Sequence, residues 1–301
     1  MQIPSIQEKR AALRQQLASD RFIVAPAVHD IFSLRLIERA GYRSACISGA
    51  MLSYNQLGLA DMGMVTLTES VDHCRMLTRT ALIPITADAD AGYGNARGVY
   101  HATQLFEEAG AAGINIEDQI VPRRMGAHGK EVVSVREMVA KLRAADQARR
   151  DSNFMLIARM DGFGVVSLDE VIARAQAYEA AGADMLLAIH PPSPEDIERL
   201  VRAVDIPVSL SAGTGLGAIA ACAGLTLKEI ADLGVRRVSL TTLLPHASLN
   251  GMRAGIEALA SADSVGTRWQ FDGSLMDSLF QPSRQYAFED ELLSGASDAD
   301  M

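Results

Sequence analysis

Short apolar runs alternate with amphipathic stretches from Arg21 to about Ala260. The runs are FIVAP (22–26), SACIS (44–48), LIPITAD (82–88), GINIED (113–118), FMLIARM (154–160), DMLLAIH (184–190), IPVSLSA (206–212) and RRVSLTT (236–242). Their apolarity is continuous rather than alternating, as in strands covered on both faces. Between them lie helical patterns such as SLRLIERAGY, ARGVYHATQLFEEAGAAG, SLDEVIARAQAYEAAGAD and SPEDIERLVRAV. Two of these close on FEEAGAAG (106–113) and YEAAGADM (178–185), where a glycine is expected to cap the helix before the next strand. Eight strand–helix units in about 240 residues predict an α/β fold, a (β/α)8 TIM barrel. A doubly wound open sheet is the competing architecture, but no GxGxxG follows the first strand.

The pattern changes at both ends. The first twenty residues, MQIPSIQEKRAALRQQLASD, form an amphipathic helix pattern without a signal-peptide core. After Ala260, SADSVGT has the composition of a linker. SLMDSLF then predicts a short helix, Pro282 a break, and the following residues a second helix, with the last few residues disordered. The expected organisation is a barrel domain over 1–260 and a helical extension over 261–301.

Composition narrows the partners. A net charge of -9, with basic residues scattered, argues against nucleic acid and anionic membrane. No stretch approaches the roughly 20 apolar residues of a membrane helix. Three widely spaced cysteines, Cys46, Cys74 and Cys222, form no CxxC pair and suit a reducing compartment, so a cytoplasmic protein is expected.

The candidate chemistry lies at strand ends. PITADADAGYGNAR (84–97) drives Asp88 and Asp90 out of a buried strand. Two residues apart on an extended segment, both should face the same way. The next strand ends on Glu117 and Asp118, adding carboxylates to the same rim. Like charges held close require a cation, and Mg²⁺ or Mn²⁺ suits oxygen ligands. A solvated acidic turn is the plainer alternative.

SGA (48–50), LGLADMG (57–63), DADAGYGN (88–95), IEDQ (116–119) and ARMD (158–161) resemble, in order and spacing, the phosphoenolpyruvate mutase/isocitrate lyase superfamily from about residue 8 to 260. The resemblance implies a barrel whose Mg²⁺ holds the C1 carboxylate and C2 oxygen of a small 2-oxo or 2-hydroxy acid. It also implies oligomers, usually homotetramers, that exchange a C-terminal helix. By the same resemblance Asp88 is the principal metal ligand, and Asp61, Asp90 and Glu117 hold the metal through water. Ser48, Gly49 and Ala50 bind the substrate carboxylate, and Arg159 contacts the substrate. A structural ion pair is the alternative role for Arg159.

The resemblance breaks on the other side of the site. Lyases of the family carry a loop such as KRCGH whose cysteine is a general acid. Here PRRMGAHGKEV (122–132) places Met125 at that position, and a thioether has no proton to give. His128 is the candidate replacement, or a surface histidine. Where the lyases have a glutamate after the sixth strand this chain has Ile189 or His190, and where they have an asparagine after the seventh it has Ser211. The expected function is therefore a Mg²⁺-dependent carbon–carbon lyase acting through a metal-stabilised enolate, with decarboxylation of oxaloacetate or a close relative first. A retro-aldol lyase of the 2-methylisocitrate or 2,3-dimethylmalate type and a phosphonopyruvate mutase or hydrolase are alternatives. A non-catalytic acid-binding barrel is another, against which the retained carboxylates count.

Overall fold

A computed structural model describes residues 3–19, 21–123, 130–213, 222, 224–260 and 273–295. Each apolar run contains a strand: β1 (Ile23–Pro26), β2 (Ala45–Cys46), β3 (Ile85–Asp88), β4 (Gly113–Glu117), β5 (Met155–Met160), β6 (Met185–Ala188), β7 (Val208–Ser211) and β8 (Arg237–Leu240). From β2 to β8 each strand pairs in parallel with the next in sequence, and β8 pairs in parallel with β1. The remaining gap, between β1 and β2, is bridged at Ala27 and Cys46, where the Val28 amide donates to the Cys46 carbonyl at 2.9 Å. The result is the (β/α)8 barrel, with every strand's C-terminal end on one face.

The helices begin where short polar side chains can accept their first free amides. Ser5 starts α1 (Ile6–Ala18), Asp30 α2 (Ile31–Arg39), Thr66 α4 (Leu67–Thr78), and Asn95 α5 (Ala96–Glu108). Ser134 starts α6 (Val135–Ala148), Ser167 α7 (Leu168–Ala180), Ser193 α8 (Pro194–Arg202), and Thr226 α9 (Leu227–Asp232). A short α3 (Gly49–Leu52) follows β2 and runs into a π turn at Ser53–Leu57. Gly110 and Gly182, in the two EAGA-like endings, take left-handed φ values of 89° and 101°, as a helix-terminating glycine does.

Strand alternation splits the core in two. Leu156, Ala158 and Met160 of β5 face outward and pack with the surrounding helices, among them Phe106, Leu142 and Tyr178. Met155 and Ile157 face inward, clustering with Met185, Leu187 and Ile189 and with Leu13 and Leu17 of α1. Helix α1 is anchored by cations as well. Lys9 Nζ donates to the carbonyls of Thr78 (2.8 Å) and Ala81 (3.2 Å), and Arg10 Nε donates to that of Ala111 (2.9 Å). The barrel interior is not wholly apolar. Arg237 of β8 is 1% exposed and donates to the hydroxyls of Thr86 (3.0 Å) and Ser209 (3.4 Å), while its Nε has no hydrogen-bond partner among the described residues.

The chain divides into two compact units, residues 1–247 and 248–301. Helix α10 (Leu243–Ala260) runs into the second unit, which also holds α11 (Gly273–Phe280) and α12 (Pro282–Gly295). Among that unit's described side chains none is buried, and Leu249, Met252, Ile256 and Leu259 form an exposed apolar stripe on α10. The expected linker SADSVGT and the last residues of the chain lie outside the described residues.

Candidate active site

Asp88 ends β3 and is held by neutral donors. Asn115 Nδ2, on β4, donates to its Oδ1 at 2.8 Å, and the Asp90 amide donates to the same oxygen at 3.2 Å. The Gly49 amide donates to Oδ2 at 3.2 Å. The approach is close: a Cβ on residue 49 would stand 3.0 Å from that oxygen, so a larger residue would need Asp88 to give way by a few tenths of an ångström. Ser48 precedes α3 without capping it through its side chain. Segment 48–50 therefore lies directly against the end of β3.

Asp90 reaches the site by a route that strand alternation does not describe. The extended segment ends at Asp88, and the chain then turns through left-handed φ at Asp90 (45°), Gly92 (88°), Tyr93 (58°) and Gly94 (135°). Left-handed φ at two non-glycine residues marks a backbone that its surroundings over-determine, as at many functional sites. Gly92 has no alternative, since a Cβ would lie 2.3 Å from Val99 Cγ2. The Tyr93 hydroxyl donates to Ser70 Oγ at 2.7 Å and ties the turn to α4.

Two arginines bind the carboxylates together. Arg123 Nη2 contacts Asp90 Oδ1 at 2.6 Å and the two Glu117 oxygens at 2.9 and 3.0 Å, and its Nε donates to Glu117 at 3.2 Å. Its Nη1 pairs with Asp61. Arg159, near the end of β5, pairs with Glu117 Oε2 at 2.9 Å and lies 3.7 Å from Asp88 Oδ2. Asp161 in turn fixes Arg159, accepting from Nε at 2.9 Å and Nη2 at 3.3 Å, and also pairs with Lys130 at 2.6 Å. The four expected metal carboxylates, Asp61, Asp88, Asp90 and Glu117, thus converge around two guanidiniums. Neither Arg123 nor Asp161 was singled out by sequence reasoning. The signal for Arg123 was indirect, namely four carboxylates that needed a cation.

Burial dominates the electrostatics. It pushes the carboxyls of Glu117, Asp90 and Asp61 above the ordinary range. The guanidiniums of Arg123 and Arg159 pull the other way. Both arginines are correspondingly held in the charged form by the acids around them.

Other expected members separate. Asp118 does not join the rim. One step further along the strand it faces away, fully buried, accepting from the Tyr178 hydroxyl (2.7 Å) and the Asp161 amide (2.8 Å) and pairing with Arg174 at 3.5 Å. Of the two candidates after β6, Ile189 is buried with the barrel interior, while His190 is exposed at φ 52°. Ser211 ends β7 with its hydroxyl 3.5 Å from that of Thr241. Met125 and His128 lie outside the described residues.

Among the described residues, no three carboxylate, histidine or thiol groups are placed to chelate one ion directly. The donor set nevertheless fits Mg²⁺ or Mn²⁺. It is all oxygen, it demands positive charge, and a hard ion that keeps much of its water needs few direct protein ligands. Asp88 is the group best placed for direct contact, because its present partners are mainly neutral.

The profile of the family described as phosphoenolpyruvate phosphomutase matches residues 13–260. The chain is 34% identical over 251 residues to oxaloacetate decarboxylase of Bradyrhizobium sp. (strain BTAi1), covering 82% of this chain and 86% of that protein. It is 40% identical over 202 residues to probable 2-methylisocitrate lyase 2 of Corynebacterium glutamicum, covering 67% of this chain and 66% of that one. Among solved structures, phosphonopyruvate hydrolase in complex with oxalate and Mg²⁺ matches with a TM-score of 0.82 at 30% identity, over 95% of this chain and 99% of that chain.

Proposed function

The chain belongs to the phosphoenolpyruvate phosphomutase family and is a carbon–carbon lyase, and from that premise we propose that it decarboxylates oxaloacetate or a close relative with Mg²⁺ or Mn²⁺. One observation carries the choice of decarboxylation. The carboxylate half of the site is complete, whereas its far side lacks the loop cysteine and the glutamate of the lyases, with Met125 in the loop and Ile189 or His190 after β6. Loss of CO₂ breaks the C3–C4 bond and sends its electron pair toward the C2 oxygen, so the departing group needs no proton. A retro-aldol lyase must place an acid there, and His128 is the candidate in the loop.

In this reading Ser48, Gly49 and Ala50 bind the C1 carboxylate, and Arg159, oriented by Asp161, contacts the substrate on the C2 side. The bound ion supplies positive charge where negative charge grows during cleavage. Asp88 is its direct ligand, and Asp61, Asp90 and Glu117 hold it through water. The reading also places the enzyme in the cytoplasm, in keeping with three free, buried cysteines, and as a homotetramer joined through the exposed apolar face of α10. Among the described residues no helix is long and apolar enough to cross a membrane.

The test is a substrate panel with Mg²⁺: oxaloacetate, 2-methylisocitrate, 2,3-dimethylmalate and phosphonopyruvate, followed by pyruvate release. Oxaloacetate is expected to turn over fastest. Turnover of 2-methylisocitrate or 2,3-dimethylmalate with none of oxaloacetate would assign the retro-aldol reaction instead.

A further inference from the structure

Arg123 is a fully engaged cation to which the proposed reaction assigns no role. Its guanidinium, 5% exposed, reaches three carboxylates at once: Asp61 through Nη1, Asp90 through Nη2, and Glu117 through both Nη2 and Nε. These are the oxygens through which a hydrated divalent ion would be held. Guanidinium is all donor and no acceptor, so each of its N–H groups takes up a carboxylate lone pair that metal-bound water would otherwise use. A guanidinium and a doubly charged ion within a few ångströms of each other also repel.

The two arginines of the site differ in how they are fixed. Arg159 lies on β5 and is clamped from behind by Asp161, which is fully buried. Arg123 lies in no helix or strand. Its backbone amide donates to the Met62 carbonyl at 3.1 Å, and its side chain is described only in contact with the acidic cluster. Arg159 is built in, whereas Arg123 is held by the charges it neutralises.

We infer that Arg123 is the internal counter-ion of the metal-free site, and that its side chain and the divalent ion occupy the Asp61–Asp90–Glu117 cluster in turn. This rests on the metal reading of the proposed function. The arginine keeps buried carboxylates from facing one another uncompensated, and the ion must displace it to bind. Metal affinity is then reduced by the fraction of molecules in which Arg123 is seated.

The experiment measures Mn²⁺ binding to the full-length protein by electron paramagnetic resonance, in wild type, Arg123→Gln and Arg123→Lys. Arg123→Gln should bind Mn²⁺ about tenfold more tightly or better. Its metal-free form should melt below wild type and recover with Mn²⁺. Arg123→Lys, which keeps the charge but loses the guanidinium fork that spans three carboxylates, should fall between wild type and Arg123→Gln in affinity. A measurement on wild type alone does not depend on a variant folding. Labelling of Arg123 by phenylglyoxal, read by peptide mass spectrometry, should rise several-fold when Mn²⁺ is added to the metal-free protein. If wild type binds Mn²⁺ but Arg123→Gln binds it no more tightly, or Arg123 labelling stays flat or falls, the inference is overturned and the metal reading stands. If no form binds Mn²⁺, both fall.

Discussion

Asp88 accepts hydrogen bonds from an amide side chain and two backbone amides, with its nearest cation 3.7 Å away, whereas Asp90 has a guanidinium nitrogen at 2.6 Å. Asp88 therefore has more to gain from an ion. Chelation with EDTA should abolish activity, and Mg²⁺ or Mn²⁺ should restore it. Asp90→Ala is expected to lower Mn²⁺ affinity and kcat/KM by about 10–100-fold, as loss of a water-mediated partner does, and Asp88→Ala by more. Equal losses would contradict the division of roles. Proton linkage gives a second check. Burial pushes Asp90 up to about 6 and Glu117 up to about 8 in the metal-free protein. Both values are raised above the unfolded carboxylate range, so the stability these groups contribute at low pH is lost as pH rises through about 6 and then about 8. An ion that binds the ionised forms offsets that loss. The difference in Tm between Mg²⁺ and EDTA should widen from pH 5.5 to pH 8.5, measured over roughly that span; a constant gap would show that the ion displaces no protons there. At the loop, Met125→Cys should leave decarboxylation unchanged and His128→Ala should have a small effect. A fall of about 10²–10⁴ for His128→Ala is what a positioned acid would give, and would favour the retro-aldol reaction.

At the scale of elements, apolar runs, polar caps and terminal glycines were enough to place the strands and most barrel helices, because each of these signals is local. FEEAGAAG and YEAAGADM end their helices at Gly110 and Gly182 for a reason visible in eight letters. The loop after β3 was less legible. The spacing of Asp88 and Asp90 suggested strand alternation, but the chain leaves the sheet between them and returns Asp90 by a left-handed turn. Glu117 and Asp118 were both expected at the rim, but neighbours on a strand point to opposite faces, and the structure divides them between the site and the helix layer. Helix α1 joins the inner core through Leu13, which is fully buried, and Leu17. Leu13→Ala should cost about 2–5 kcal/mol in a denaturant melt. A loss below about 1 kcal/mol would mean that α1 covers the barrel without supporting it.

For the whole molecule, the question is what covers the second unit. Leu249, Met252, Ile256 and Leu259 recur at spacings of three and four on α10, and each is more than half exposed. Tyr286, Phe288 and Leu292 of α12 are exposed as well. An apolar stripe of this kind on an isolated chain would favour association. Light scattering of the full-length protein should report an oligomer, and truncation after Ala260 should give smaller or aggregated species. A well-behaved full-length monomer would refute the assembly.

The sequence by itself determined the eightfold alternation, the parallel barrel that follows from it, and the carboxylate strand ends, because these depend on residue periods of two and about 3.6 and on which residue types terminate a strand. It also showed that Met125 cannot donate a proton, since that is a property of the side chain alone. Only the tertiary structure decided that Arg123 is the cation among Asp61, Asp90 and Glu117, residues 62, 33 and 6 positions away in the chain. It likewise separated Asp161, which positions Arg159, from Asp118, which joins Tyr178 and Arg174. Which charge meets which depends on distances across the barrel mouth, set by strand order, register and turn geometry together, and no local pattern of residues encodes them.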